Sequence, residues 1–177
     1  MSIISFGEYI DGKSFKVLDE RKMRASAGIM FLFGLIATIN GFVLGRYEII
    51  PYIMGGIVFS FIIGLFINPK FSPPVLIASL MVRKQSPLPI GAVQKKFAWS
   101  LGLILSSTIL ILSIFLQKDS TLFEPTCMLC MICLLLLYLE TAFGICVGCK
   151  LYYLTLALKI LPKPKEKPNC MGDSCNV

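Results

Sequence analysis

Four long apolar runs, at residues 25–44, 49–67, 97–116 and 126–146, constrain this chain more than any other feature. A helix that crosses a bilayer needs about 20 mostly apolar residues, whereas a barrel strand needs about 9–11. Backbone amides find no water in lipid, so a spanning segment must satisfy its hydrogen bonds within itself or within a closed barrel. Runs of this length therefore predict helices. The composition agrees: 56% hydrophobic residues, 15% charged and a mean hydropathy of +0.80. The sequence predicts an all-α integral membrane protein, a four-transmembrane-helix bundle in a lipid bilayer. The net charge is +7, but the basic residues flank the apolar runs. That position suits lipid headgroups and gives no reason to expect a nucleic-acid partner.

Residues 1–24 mix polar and apolar side chains and lack the charged-then-apolar order of a cleavable signal peptide, so they are expected to stay as a cytoplasmic N-terminal segment. In the first span Gly28, Gly34 and Gly41 invite a close helix neighbour, and Asn40 is expected to hydrogen-bond that neighbour. Gly55 and Gly56 predict a close contact or a bend in the second span, which Asn68-Pro69 ends. FSPPVLIASLMV, residues 71–82, is apolar but too short to cross. It is read as a short amphipathic or re-entrant segment between helices 2 and 3. Trp99 is expected to anchor the third span at the interface. The membrane domain covers 25–161, and the Pro- and Lys-rich residues 162–177 are expected to form a flexible cytoplasmic tail carrying Cys170 and Cys175.

Lysine and arginine number five before the first span, one in the first loop, five in the second, one in the third and five from Lys150 onward. This alternation predicts both termini on the cytoplasmic side.

The stretch from Thr126 to Lys150 carries five of the seven cysteines. Cys127, Cys130 and Cys133 open the fourth run, and Cys146 and Cys149 close it. On a straight helix Cys127 and Cys149 stand about 33 Å apart, close to the hydrocarbon thickness. One thiol cluster is thus expected at each membrane surface. Thiols three residues apart on a helix are neighbours, able to bridge or to hold one soft ion. Cys127 and Cys130 are placed in the first helical turn, where the helix dipole favours thiolate. Cys146 and Cys149 are bracketed by Gly144 and Gly148, which predict a departure from regular helix, and Lys150 adds positive charge beside them. Cys133 reads as a spare thiol or a third participant. Met128 and Met131 are expected to face lipid or packing.

Glu140 is the one acid within a span. A charge there is costly and marks a pathway as a rule. Two readings stand side by side: a buried acid that takes a proton from a thiol, or a packing residue that hydrogen-bonds within the bundle. The absence of histidine leaves Cys, Met, Glu and Asp as the groups for any site chemistry.

Four pieces of the sequence, VLDERKMRASAG with Asp19 and Arg24, FSPPVLIASLMV, QKKFAWSLG and LETAFGICVGCKLYY with Tyr152, resemble a bacterial four-span integral-membrane family known as a domain of unknown function. The resemblance runs from about Asp19 to Leu156, and its GxCxGC piece is the most specific. Members are often associated with thioredoxin-like and rhodanese-like proteins. The resemblance thus implies thiol or sulfane-sulfur chemistry, a cytoplasmic partner of those classes, and residence in the bacterial cytoplasmic membrane. The outer CMLCMIC cluster and the cysteine-bearing tail are not part of it.

Taken together, the expected function is a membrane thiol protein that moves reducing equivalents or sulfane sulfur, as sulfide, persulfide or thiosulfate, across the bilayer. Cys146, Cys149, Cys127, Cys130 and Cys133 are its expected reactive residues, with Glu140 handling protons and Cys170, Cys175 and Lys150 assisting. Such a protein would act as a thiol-disulfide oxidoreductase or a sulfur transferase or transporter, and a homo-oligomer is compatible with its glycines. The first alternative is a Cu(I)- or Hg(II)-binding or transport protein using Cys127, Cys130, Cys146 and Cys149. The second is a structural membrane scaffold.

Overall fold

The computed structural model describes residues 5–9 and 15–159; Cys170, Cys175 and the tail lie outside them. Its elements are β1 (Val17–Asp19), α1 (Glu20–Phe42), α2 (Ile49–Ile62), α3 (Pro73–Met81), β2 (Pro89–Gly91), α4 (Ala92–Leu116), α5 (Phe123–Ala142) and α6 (Val147–Ala157). Among the described residues, four helical segments are long and apolar enough to cross a membrane: Glu20–Phe42, Ile49–Ile67, Ala92–Leu116 and Ser120–Phe143. The expected all-α four-span bundle is what the chain forms. α2 packs on α1 and α4, and α5 packs on the same two helices, so the four spans close into a ring.

Two of the spans begin earlier than the apolar runs suggest. Asp19 caps α1 by accepting from the Arg21 amide, and the same carboxylate oxygen accepts from Leu88. β1 and β2 pair antiparallel, Val17 opposite Gly91 and Asp19 opposite Pro89, which ties the starts of α1 and α4 together. Beyond each start runs a buried stripe at three- and four-residue steps, with one step of seven in each helix. In α1 it is Glu20, Met23, Ala27, Met30, Ala37 and Gly41; in α4 it is Ala92, Lys95, Trp99, Ser106, Ile109 and Ser113. Each stripe carries a charged residue near its head.

The close contacts fall mostly on the predicted small residues. A Cβ on Gly28 would meet Thr141 and one on Gly34 would meet Leu134, so α5 lies against α1 along this face. Gly55 and Gly56 behave otherwise: no atom lies within 4 Å of a Cβ built there. The irregularity of the second span comes later, in a π turn over Ile63–Ile67. Asn40 donates to the Ile36 carbonyl of its own helix and not to a neighbour. Trp99 is no interfacial anchor either. It is 6% exposed, set edge-on to Phe61 and Phe6 and stacked over Gly64.

α3, with prolines in its first turn, spans nine residues and packs on α1 through its buried Val75 and Ala78. At the far end of the bundle Phe42 and Tyr47 meet Phe123. That end holds the α1–α2 and α4–α5 connections. The strand end holds the starts of α1 and α4 and the end of α5.

The candidate thiol site

α5 stops at Ala142, and the stop is built into the sequence. Gly144 adopts φ +68°, a left-handed turn that side chains resist. Arg24 of α1 reaches across and donates to the carbonyls of Thr141 (2.8 Å) and Ala142 (2.7 Å), which have no helical partner. The chain then restarts as α6 with Cys146 at its N-cap and Cys149 in its first turn. The expected departure from regular helix thus lies at Gly144, ahead of the pair. Gly148 sits inside α6 and serves packing: a Cβ there would lie 2.6 Å from the Ala98 Cβ of α4. α6 is a separate helix held against α4, with Phe97 beside Tyr152 and the Tyr153 hydroxyl on Gln94.

This approach brings Cys146 and Cys149 to a buried ion pair between Lys95 of α4 and Glu140 of α5. The Lys95 side chain is 2% exposed and that of Glu140 is 20% exposed. Glu20, buried at the head of α1, lies within electrostatic reach of Lys95, Glu140 and Arg24. Four elements therefore converge on one charged cluster at the strand end.

The two thiols are not equivalent. The hydrogen bond that Cys149 donates holds the Cys146 thiol below its ordinary value, and the Lys95 ammonium adds to this against the opposing effect of burial. Cys149, as the donor, is pushed up, and burial pushes it further. The arrangement is a thiol of lowered pKa at a helix N-terminus with a protonated thiol one turn on. The cation responsible is Lys95; Lys150, expected to fill that role, is exposed.

The other cysteines stand apart from this pair. α5 begins at Phe123, so Cys127 and Cys130 fall beyond its first turn, and the dipole argument for thiolate there does not apply. Cys130 and Cys133 pack partly against the core, whereas Met128 and Met131 are 63% and 54% exposed. All five described cysteines are unbridged. Among the described residues no three His, Cys, Asp or Glu side chains converge as a metal-binding group, so the soft-metal reading rests on two thiols at a time.

A cavity of about 300 Å³ occupies the ring interior at the strand end. All four spans line it, with Met30, Phe61, Trp99 and Leu105 among its apolar walls. Cys133 and Glu140 open onto it from α5, and Cys146 closes it from the α6 side. Cys133 and Cys146 thus share one chamber, although they belong to different clusters in the sequence.

Sequence reasoning missed Lys95 and Glu20. Lys95 reads as part of a basic loop, QKK, until α4 is seen to start at Ala92. The signal was its spacing: Lys95 precedes Trp99 by four residues and follows Ala92 by three, on the buried stripe.

The family model for DUF4395, a domain of unknown function, matches residues 18–156. The chain belongs to this family. The match begins at Leu18 beside the α1 cap and ends within α6, so it includes every residue of the charged cluster and the thiol pair. No curated protein and no solved structure matches the chain.

Proposed function

We propose that this DUF4395 protein is a membrane thiol protein that exchanges reducing equivalents or sulfane sulfur with a partner at Cys146 and Cys149 and moves them across the bilayer through its cysteine clusters. The observation that carries the reading is the pairing of a lowered Cys146 thiol with a protonated Cys149 beside the buried Lys95–Glu140 ion pair. A buried charge pair is costly in a membrane bundle and is found where function requires it.

The chemistry follows from the two roles. The Cys146 thiolate attacks one sulfur of a partner's disulfide; a Cys146–sulfur bond forms and the other partner sulfur leaves as thiolate. Cys149 then gives up its proton and attacks the Cys146 sulfur. The intramolecular disulfide forms, the second partner thiolate leaves, and two electrons have moved from the pair to the partner. With a persulfide the same attack moves the terminal sulfur onto Cys146. Lys95 holds the thiolate, and Glu140 holds Lys95. In the reverse direction a reduced partner restores both thiols.

The charge alternation favours a cytoplasmic strand end, because Arg46 and Lys118 are the sole basic residues of the connections at the other end. The inner pair then faces a cytoplasmic thioredoxin-like or rhodanese-like protein, as the family's associations imply. The deciding experiment is exchange between the reduced protein in nanodiscs and an oxidised thioredoxin, followed by trapping of the mixed disulfide in Cys149→Ser. A trapped adduct on Cys146 is expected. Equal exchange by the Cys146→Ser, Cys149→Ser variant and the parent would end the proposal.

A further inference from the structure

The exchange proposed with a soluble partner makes no use of the chamber beside Cys146. Its walls specify an occupant. Its volume, about 300 Å³, is at the lower end of small-molecule sites, and such a site is mostly apolar with a few polar groups that orient the ligand. Among the described residues no lysine or arginine lines it, and Glu140 is the one carboxyl group that does. An anion such as thiosulfate would meet a low-dielectric wall and a carboxylate. An uncharged occupant suits these walls better than an anion. Trp99 and Phe61, set edge to face at 89° with ring centroids 5.4 Å apart, add aromatic side chains to its wall. Cys146 supplies a sulfur nucleophile at one wall and Glu140 a proton carrier at another.

A neutral, flat, lipid-soluble molecule that accepts two electrons and two protons fits these walls. We infer that the chamber enclosed by Trp99, Phe61, Glu140 and Cys146 binds a quinone ring, which accepts the electron pair of Cys146 and Cys149. This inference rests on the thiol-exchange reading and adds to it an electron acceptor within the membrane, beside the outer cysteines. The step balances: the Cys146 thiolate and the Cys149 thiol become a disulfide, and the quinone becomes a quinol. Cys149 supplies one proton. The second enters through Glu140, whose carboxyl group is the partly exposed member of its ion pair.

The chain's one tryptophan lines the chamber, so its fluorescence reports occupancy without any turnover. The test titrates the full-length protein in nanodiscs with decylubiquinone, anaerobically, and follows Trp99 emission and quinol absorbance. The expected result is a saturable loss of most of the emission, with one quinol formed per reduced Cys146–Cys149 pair. Ala27→Phe, which fills the chamber from α1, should abolish saturation while Cys146 still reacts with a water-soluble aryl disulfide. A thermal midpoint and far-UV circular dichroism spectrum matching the parent's show the variant to be folded. Non-saturable quenching, or saturable quenching that Ala27→Phe leaves unchanged, overturns the site. Saturable quenching without quinol overturns the acceptor role. Sulfur transfer from a dialkyl trisulfide to Cys146 with no quinone response also overturns it, in favour of a sulfane-sulfur site. Exchange with thioredoxin in the absence of any quinone effect removes this inference alone and leaves the thiol-exchange reading standing.

Discussion

Lys95, three residues into α4, and Glu140, two residues before the end of α5, form an ion pair that brings together two helices at the level where the chain turns toward its thiol pair. Removing one member leaves the other charge buried without its partner, at a cost of about 3–5 kcal/mol. Lys95→Met and Glu140→Gln should each lower thermal stability in detergent. Replacing both, as Lys95→Met with Glu140→Met, should recover much of the loss, because a matched apolar pair needs no partner. A double-mutant cycle on thermal midpoints measures this, and additive losses would show that the two side chains do not act as a pair.

The restored fold of that double variant separates stability from chemistry. Cys146 keeps its thiolate through the Cys149 thiol and Lys95, with Glu140 on α5 opposing them. Its alkylation by an uncharged maleimide should therefore persist at pH values where an ordinary thiol is protonated, and fall only below its own lowered pKa. Lys95→Met should move that fall to higher pH, slowing the reaction at neutral pH about tenfold for each unit of the change. Cys149→Ala removes the other support and should move it in the same direction. Unchanged pH profiles in both variants would take the Cys146 thiolate away from these partners.

How much of this was legible in the chain depends on what kind of signal each residue gives. The four spans were readable because about 20 apolar residues have few other fates. Gly28 and Gly34 were readable as contact points because a missing side chain is itself the device. Lys95 and Glu20 were hidden by a boundary effect: hydropathy starts a span at the first apolar residue, whereas the helices start at Ala92 and Glu20, set by the paired strands and the Asp19 cap. Gly148 was misread for another reason. Its spacing from Gly144 suggested a shared bend, but one glycine breaks the chain at φ +68° and the other admits Ala98 of α4. The chamber between Cys133 and Cys146 depends on how five helices pack, and no local pattern encodes that.

The two glycines accordingly predict different failures. Gly144→Ala forces a side chain into a left-handed conformation, at a cost of about 1–2 kcal/mol. It should lower stability while leaving α6 in place, so thioredoxin exchange should persist in the folded fraction. Gly148→Val puts its side chain into Ala98, where the contact is with the α4 backbone as well, 2.8 Å from the Ala98 Cα. That should push α6 away from α4 and separate Cys146 from Lys95. The expected result is a nearly normal thermal midpoint with strongly reduced alkylation at neutral pH. A reversed order of effects would reassign the two glycines.

The ends of the bundle make the last prediction independent of any reaction. β1 pairs with β2, and Arg24 reaches the last carbonyls of α5, so the N-terminal segment, the α3–α4 connection and Cys146 share one end. Tyr47 and Phe42 meet Phe123, which sets the α1–α2 connection and the start of α5 at the other. Single-cysteine variants that keep either Cys127 or Cys146 should label with a membrane-impermeant maleimide from opposite sides of sealed vesicles. With the basic connections at the cytoplasm, Cys146 should react only in inside-out vesicles and Cys127 only in right-side-out ones. Cys127 is half-buried and open enough for the reagent, so its silence from both sides would count against the arrangement. Labelling of both residues from one side would break the ring of four spans on which the shared chamber depends.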